Sequence, residues 1–164
     1  ATTGFTSREL FQLRETSTTK NKDFYMVGAM GHASMVSLGV SLKSKKKVIC
    51  LDGDGSFLMH MGSINTFSNF GNKNLKYILI NNNSHDSVGG QTTFLNKIDV
   101  RKLVLSLGFK KYYLVRNKFD LEKNLEKFLR SKSLSFLEVK TSTNKIKNLP
   151  RPKNLIQVKK KFIM

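Results

Sequence analysis

Two short apolar runs without polar alternation stand out in the middle of the chain. Residues 48–51 (Val-Ile-Cys-Leu) and 77–80 (Tyr-Ile-Leu-Ile) are rich in β-prone side chains, and both runs end at polar residues. Continuous apolar runs are typical of parallel strands that are buried on both faces. Between them, residues 57–70 carry apolar side chains at helical spacing and end at Gly71. This order of strand, helix and strand predicts a βαβ unit.

The alternation of helix and strand patterns continues on both sides of this unit. Thr6 and Glu9 have capping-box spacing, which predicts a helix start at residue 6. Apolar periodicity predicts helices at 6–15, 31–42, 99–107 and 121–129, and further strands at 112–115 and 134–139. We therefore predict an α/β fold with a mostly parallel sheet flanked by helices.

The length of 164 residues suits one domain with a sizeable core. We predict a domain over residues 1–143 and a basic, extended tail over 144–164, which packs on the same domain. No apolar run approaches the roughly 20 residues of a membrane helix, and a single cysteine, Cys50, excludes an internal disulfide framework. The chain opens at Ala1 without a signal-peptide pattern. We expect residues upstream of Ala1 and a cytoplasmic location.

The formal net charge of +18 allows two interpretations. A strongly basic surface attracts polyanions such as nucleic acid. The charge comes, however, from 23 lysines and only 6 arginines, beside 14 asparagines. Arginine is the preferred reader of bases and phosphates, so we favour compositional drift from AT-rich coding and consider nucleic-acid binding the weaker interpretation.

Polar side chains follow both apolar runs, at residues 52–56 (Asp-Gly-Asp-Gly-Ser) and 81–86 (Asn-Asn-Asn-Ser-His-Asp). Ligands of parallel α/β sheets bind beyond the carboxyl ends of the strands. If the two strands are neighbours, oxygens of Asp54 and Asn82 converge, and such hard oxygen ligands suit Mg²⁺. Glycines beside Asp54 also allow a phosphate to approach the backbone closely.

Three other motifs do not fit this segment. An EF-hand loop needs glycine and glutamate where Phe57 and Ser63 stand. A dinucleotide fingerprint needs a third glycine where Leu58 stands, and the chain has no Gly-Lys-Ser/Thr of a Walker A loop. A plain Asp-Gly turn after a strand remains the alternative for residues 52–55 taken alone.

Residues 53–56 and 81–82 together resemble the thiamine-diphosphate motif of the decarboxylase and acetolactate-synthase superfamily, with 28 positions between Asp54 and Asn82. Residues 3–11, 28–33 and 85–91 are similar to the phosphonopyruvate decarboxylase and sulfopyruvate decarboxylase β-chain branch. The resemblance implies the fold of the diphosphate-binding domain and the cofactors thiamine diphosphate and Mg²⁺. The reaction it implies is decarboxylation of a 2-oxo acid, phosphonopyruvate in preference to sulfopyruvate.

The resemblance also implies roles for individual residues. The metal ligands would be the side chains of Asp54 and Asn82 and the carbonyl of Ser84. The cofactor would contact, in addition, Thr3, Gly4, Gly28, Ala29, Met30, Gly53, Gly55 and Ser56. Met30 would hold the cofactor bent, unless it is an ordinary core methionine. Asn83 departs from the glycine that is usual there, and we expect it to adopt the left-handed conformation.

The histidines are candidates for the substrate side of this site. His85 and Asp86 follow the metal loop, where proton transfer or anion contact is one role and shaping of the loop the other. His32 adjoins the pyrimidine segment and is the weaker catalytic candidate. We expect His60 and Cys50 to be packed structural residues.

The resemblance implies a partner as well. Members of the superfamily activate the cofactor with a glutamate from a separate pyrimidine-binding domain. None of the five glutamates adjoins residues 28–31 in sequence, so we predict a homo- or hetero-oligomer in which a pyrimidine-binding domain or subunit supplies that glutamate. A catalytically silent cofactor-binding chain is the alternative, and a nucleic-acid-binding module ranks last.

Overall fold

A four-stranded parallel sheet forms the centre of the computed structural model, which describes residues 1–18, 22–143, 146 and 148–163. The strands are β1 Val48–Gly53, β2 Leu75–Asn81, β3 Lys111–Val115 and β4 Ser135–Lys140. Their order across the sheet is β1-β2-β4-β3, and every neighbouring pair is parallel. The predicted α/β class with a parallel sheet is confirmed.

Helices precede and connect the strands, as the apolar periodicity predicts. They are α1 Phe5–Glu15, α2 Ala33–Lys43, α3 Asp54–Met59, α4 Ser63–Phe70, α5 Val100–Ser106, α6 Lys118–Arg130 and α7 Leu155–Ile163. Short 3-10 turns cover Asp86–Val88 and Leu95–Lys97. Because the crossover from β1 to β2 joins adjacent parallel strands, both strands end at the same edge of the sheet.

Two local predictions are wrong. The single helix expected over 57–70 is interrupted after Met59: His60 leaves the helical conformation, and Gly62, a poor helix former, precedes α4. This break allows Phe57 on α3 and Phe67 on α4 to reach the same core. The predicted capping box is also absent, because α1 begins directly after Gly4 and no side chain caps it.

The tail is not extended throughout. Residues 144, 145, 147 and 164 lie outside the described residues, but Leu155–Ile163 forms a helix, which contradicts the extended prediction there. Leu149 is buried, and the ring of Phe162 lies 5.4 Å from that of Phe24. The division of the chain at residue 143 stays a prediction.

Aromatic rings fill the core around the second strand. Tyr77 stacks on Phe136 with ring centroids 4.8 Å apart and meets Phe67 edge to face at 5.2 Å. Cys50 is buried in the same cluster, as predicted. Within the part of the chain that the structure describes, no helix combines the length and apolar character that crossing a bilayer requires.

Candidate functional site

A cleft of about 70 Å³ opens at the carboxyl edge of the sheet, beyond β1 and β2. Gly53 pairs in register with Ile80, so the residues that follow each strand emerge side by side. Most of the predicted site residues line this cleft, namely Thr3, Gly4, Met30, Gly53, Asp54, Gly55, Ser56, Asn82, Ser84, His85 and Asp86. Three predicted residues, Gly28, Ala29 and His32, are not among its lining.

Asp54 is the buried carboxylate of the cleft. It begins α3 and is 4% exposed, and the hydroxyl of Thr93 donates a hydrogen bond of 2.8 Å to its Oδ2. Burial raises the pKa of Asp54, while hydrogen bonds from Thr93 and from backbone amides oppose that rise. Among the described residues, no lysine or arginine forms an ion pair with Asp54, although the chain carries a net charge of +18. A buried carboxylate without a basic partner fits a site that a cation completes.

Asn82, Ser84 and Asp86 form a tight loop opposite Asp54. The Ser84 amide donates to Asn82 Oδ1 at 3.0 Å, and Asn82 Nδ2 donates to Asp86 Oδ2 at 2.8 Å. The Ser84 hydroxyl donates to Asp86 Oδ1, also at 2.8 Å. The carboxylate of Asp86 therefore shapes the loop, and Asn82 keeps its amide oxygen turned away from Asp86.

The donor set at the cleft is an oxygen set. Among the described residues, no three His, Cys, Asp or Glu side chains come together as a metal-binding group. A cation at Asp54 would therefore depend on amide and carbonyl oxygens as its further ligands, which Asn82 and Ser84 offer. Mg²⁺ fits such hard oxygen ligands, whereas Zn²⁺ is more often held by nitrogen and sulfur.

Ser56, at the start of α3, is hydrogen-bonded to two other segments of the chain, the N-terminal segment and the turn at residues 28–31. Its hydroxyl oxygen accepts hydrogen bonds from Thr2 Oγ1 at 2.7 Å and from the Gly31 amide at 2.9 Å. Thr2 also donates its amide to the Leu51 carbonyl at 2.8 Å. The N-terminal segment and the turn at residues 28–31 are thus held against the start of α3.

His85 lies against the glycine-rich turn that begins α3. A Cβ at Gly55 would collide with the His85 ring, so only glycine leaves room for the imidazole. The His85 amide donates to the Gln91 carbonyl at 2.7 Å, and its carbonyl accepts from the Val88 and Gly90 amides. His85 consequently both lines the cleft and shapes its own loop.

Met30 lies in a turn whose backbone conformation is unusual. Gly28, Ala29 and Gly31 all have positive φ angles, of 74°, 48° and 89°. Met30 between them lines the cleft, whereas the His32 ring lies 4.4 Å from the ring of His60, outside the lining. His60 is exposed rather than packed as predicted, because the helix breaks at this residue.

Some contacts of the site carry no signal in the sequence. Thr93 reaches Asp54 from 39 positions away, and Thr2 reaches Ser56 from 54 positions away. Thr93 belongs to no recognisable motif. Thr2 directly precedes the predicted residues Thr3 and Gly4, but its contact with Ser56 appears only in the folded chain. Asn83 adopts the left-handed conformation expected of it, with φ +58°.

The sequence matches the family described as "Thiamine pyrophosphate enzyme, C-terminal TPP binding domain" over residues 2–139. It is 35% identical over 153 residues to phosphonopyruvate decarboxylase of Streptomyces hygroscopicus, covering 93% of this chain and 37% of that protein. It is 39% identical over 106 residues to sulfopyruvate decarboxylase subunit beta of Methanothermobacter thermautotrophicus, covering 65% of this chain and 55% of that subunit. It is 33% identical over 150 residues to sulfopyruvate decarboxylase of Methanosarcina acetivorans, covering 90% and 38%. The chain therefore spans less than two thirds of each of these relatives.

Proposed function

We infer the function of this chain from the family to which it belongs, the thiamine pyrophosphate enzymes, whose C-terminal cofactor-binding domain it represents. The predicted resemblance is thereby confirmed. We propose that the chain is the diphosphate-binding half of a thiamine-diphosphate-dependent 2-oxo acid decarboxylase. Its substrate on this proposal is phosphonopyruvate, and the products are phosphonoacetaldehyde and carbon dioxide.

The observation that carries the proposal is the buried Asp54, which forms no ion pair with a basic residue among the described residues and lines the same cleft as Asn82, the residue that follows β2. On this proposal Asp54, Asn82 and the Ser84 carbonyl would hold Mg²⁺, whose positive charge would help to bind the cofactor's diphosphate. Gly53 and Gly55 keep side chains away from the start of α3, where that diphosphate would lie.

Thiamine diphosphate, when bound, supplies the electron sink that loss of carbon dioxide from a 2-oxo acid requires. The chain's own residues orient it and exclude water. We assign the diphosphate to Thr3, Gly4 and Ser56, the pyrimidine to Gly28, Ala29 and Met30, and the substrate to His85. Asp86 acts through the loop that it shapes, and His32, outside the cleft lining, has the weakest support as a catalytic residue.

A partner is part of the proposal, because the reaction needs an activating glutamate at the cofactor. Among the described residues, no glutamate lines the cleft, and Glu138 is buried among hydrogen-bond donors. A matching relative is named as a beta subunit, which supports a second chain or domain. We propose that a pyrimidine-binding partner brings the glutamate to the cofactor at the interface.

Sulfopyruvate is the second candidate substrate. The beta-subunit relative has the higher identity, 39%, but covers 65% of this chain, whereas the phosphonopyruvate relative covers 93%. Both substrates are 2-oxo acids with a tetrahedral anion, so His85 and the backbone donors of its loop suit either of them. The sulfopyruvate decarboxylase of Methanosarcina acetivorans matches 90% of this chain at 33% identity, so the preference for phosphonopyruvate rests on a small difference from the 35% identity over 93% of its relative.

Cofactor binding by the chain tests the metal assignment. Calorimetric titration with thiamine diphosphate should show binding that requires Mg²⁺, and Asp54→Ala should weaken it by about 100-fold or more, since a ligand carboxylate is lost. Asp52→Asn is the matched control, because Asp52 is also buried but bonds to Tyr77 and to the Gly53 amide. Equal affinity in the Asp54 variant and the wild type would refute the site.

Turnover tests the reaction and the partner together. The chain alone should release no carbon dioxide from phosphonopyruvate, sulfopyruvate or pyruvate, and adding the pyrimidine-binding subunit of a sulfopyruvate decarboxylase should restore release from one of the first two. Full activity of the chain alone would overturn the partner proposal. A preference for pyruvate would overturn the substrate class, and binding without turnover in any mixture would indicate a silent chain.

A further inference from the structure

A buried carboxylate lies one strand away from the cleft and has no task in the proposed reaction. Glu138 on β4 is 2% exposed. Its Oε1 accepts a hydrogen bond of 2.7 Å from Asn81 Nδ2 and pairs with Lys140 Nζ at 2.6 Å, and its Oε2 accepts one from the hydroxyl of Tyr112. All three neighbours therefore present donors to this carboxylate.

The acceptor at Glu138 fixes the orientation of Asn81. A carboxylate only accepts, so Asn81, at the end of β2, turns its amino group to Glu138 and its oxygen the other way. There Asn81 Oδ1 accepts a hydrogen bond of 3.1 Å from the amide of Asn83. If the side-chain amide of Asn81 turned over, both contacts would be lost at once.

Because its amide is hydrogen-bonded to Asn81, Asn83 links the fixed orientation of Asn81 to the conformation of the loop at the cleft. With a φ of +58°, Asn83 adopts the left-handed conformation between Asn82 and Ser84, the two predicted ligands on this side of the cleft. Asparagine tolerates this conformation better than other residues apart from glycine, but it still has a cost, and the hydrogen bond from the Asn83 amide to Asn81 Oδ1 helps to hold it.

Further hydrogen bonds of Asn83 extend the connection towards Asp54, beside the cleft. Its Oδ1 accepts from the Asn96 amide at 3.2 Å, and its Nδ2 donates to Thr92 Oγ1 at 3.2 Å. The Asn83 carbonyl accepts from the Thr93 amide at 3.2 Å, and the Thr93 hydroxyl is the one that donates to Asp54. A connected set of hydrogen bonds thus runs from β4 to the buried carboxylate of the cleft.

We propose that Glu138 is a positioning residue, which orients Asn81 and thereby holds residues 82–84 in the conformation that presents their oxygens to the metal. This inference rests on the proposed function only for the identity of the metal and cofactor. The orientation of Asn81 and the shape of the loop are properties of the chain without any ligand.

Four variants separate this role from plain stabilisation. Glu138→Leu removes the acceptor, and Asn81→Ala removes the link while leaving Glu138 its contacts with Lys140 and Tyr112. Glu138→Gln keeps an acceptor oxygen for Asn81. Tyr112→Phe is the matched control, since it removes a hydrogen bond to the same carboxylate without touching Asn81.

The first measurement uses no cofactor. Amide hydrogen exchange of Asn83 and Ser84 in the chain alone should become about tenfold faster in Glu138→Leu and Asn81→Ala than in Tyr112→Phe, because only the first two release the loop. Equal exchange in all variants would overturn the proposal. If Glu138→Leu does not fold, Glu138→Met, which also lacks an acceptor oxygen and is closer to glutamate in shape, decides the result.

The second measurement is the Mg²⁺ concentration that half-saturates thiamine diphosphate binding. It should rise about tenfold or more in Glu138→Leu and Asn81→Ala, and stay within about threefold of the wild type in Glu138→Gln and Tyr112→Phe. Equal shifts in Tyr112→Phe and Asn81→Ala would indicate general destabilisation and overturn the positioning role. A wild-type chain that binds no cofactor would refute the proposed function, and the exchange measurement would then decide the positioning role by itself.

Discussion

Lys76 on β2 and Glu138 on β4 are buried charged residues of opposite sign, and they lie towards opposite edges of the sheet, where different partners stabilise them. At the carboxyl edge, Glu138 contacts three side chains. One of them, Asn81, is hydrogen-bonded to the loop at the cleft. Towards the amino edge, Lys76 is fully buried, and its ammonium donates to the carbonyl oxygens of Lys73, Ser131 and Ser133 at 3.0, 2.8 and 2.8 Å.

The difference lies in what each charge holds in place. Lys76 bonds to main-chain carbonyls of the loops that precede β2 and β4, so it contributes to the fold alone. Burial, together with Lys47 and Lys111, lowers the pKa of Lys76 to about 8. Exposed lysines are frequent at this edge, at positions 43, 45, 46, 47, 73, 110, 111 and 132. Lys76, at the amino edge, thus stabilises the fold, whereas Glu138, at the carboxyl edge, is connected by hydrogen bonds to the loop of the cleft.

Removing the amino-edge charge should have the largest effect on stability. Lys76→Met removes three hydrogen bonds to carbonyl oxygens, although the Ser133 carbonyl still accepts from the Ser135 hydroxyl. The loss should lower the free energy of unfolding by about 3 kcal/mol. Urea unfolding measures this loss, and calorimetry should show unchanged affinity for thiamine diphosphate. A weakened cofactor affinity in the folded variant would mean that the two edges are coupled.

The same lysine makes stability depend on pH. Its pKa is about 8 in the folded chain and 10.5 ordinarily, so the unfolded chain binds more protons between these values. The wild type should therefore gain stability relative to Lys76→Met as the pH rises through this window. Unfolding curves of both proteins at several pH values test the sign, and a constant difference would contradict it.

At the carboxyl edge, neutralising the cleft carboxylate should stabilise the cofactor-free chain. Burial raises the pKa of Asp54, so the ionised form costs stability, and Asp54→Asn should increase the free energy of unfolding at neutral pH by on the order of 1 kcal/mol. This gain should shrink as the pH falls towards the ordinary carboxyl value of 3.8, because Asp54 then takes up its proton. Asp99→Asn is the control, since Asp99 is exposed and asparagine also caps helices well. A loss of stability in Asp54→Asn would show that the carboxylate supports the fold.

Replacing either of two helical glycines, Gly39 or Gly55, by alanine should have the smallest effects on stability. Only the change at Gly55 should alter the affinity for the cofactor. Around Gly39 a Cβ meets nothing within 4 Å, so Gly39→Ala should stabilise the chain by about 0.5–1 kcal/mol. Gly55→Ala should lose this gain, because the new Cβ displaces His85, and should weaken cofactor binding by about tenfold. Thermal unfolding and calorimetry measure both variants, and unchanged cofactor affinity in Gly55→Ala would place the diphosphate elsewhere.

Local patterns predicted most of the elements correctly but not their interruptions. The first two strands follow from apolar runs, whereas the break between α3 and α4 does not, since the periodicity continues across it. In the cleft, the residues of the motif could be named in advance because its chemistry restricts them to Asp, Asn and Gly. Thr2, Thr93 and Glu138 could not, because their residue types are common and their partners lie far away in the chain.

The sequence by itself determined the α/β class, the two polar strand ends and the resemblance to the family, because these depend on local periodicity and on short motifs. Only the tertiary structure decided that Asp54 is buried against Thr93 and that Glu138 accepts a hydrogen bond from Asn81. Burial and hydrogen-bond partners depend on which distant segments meet. Asn81 and Glu138 stand 57 positions apart, and no pattern along the chain links them until β2 and β4 pair.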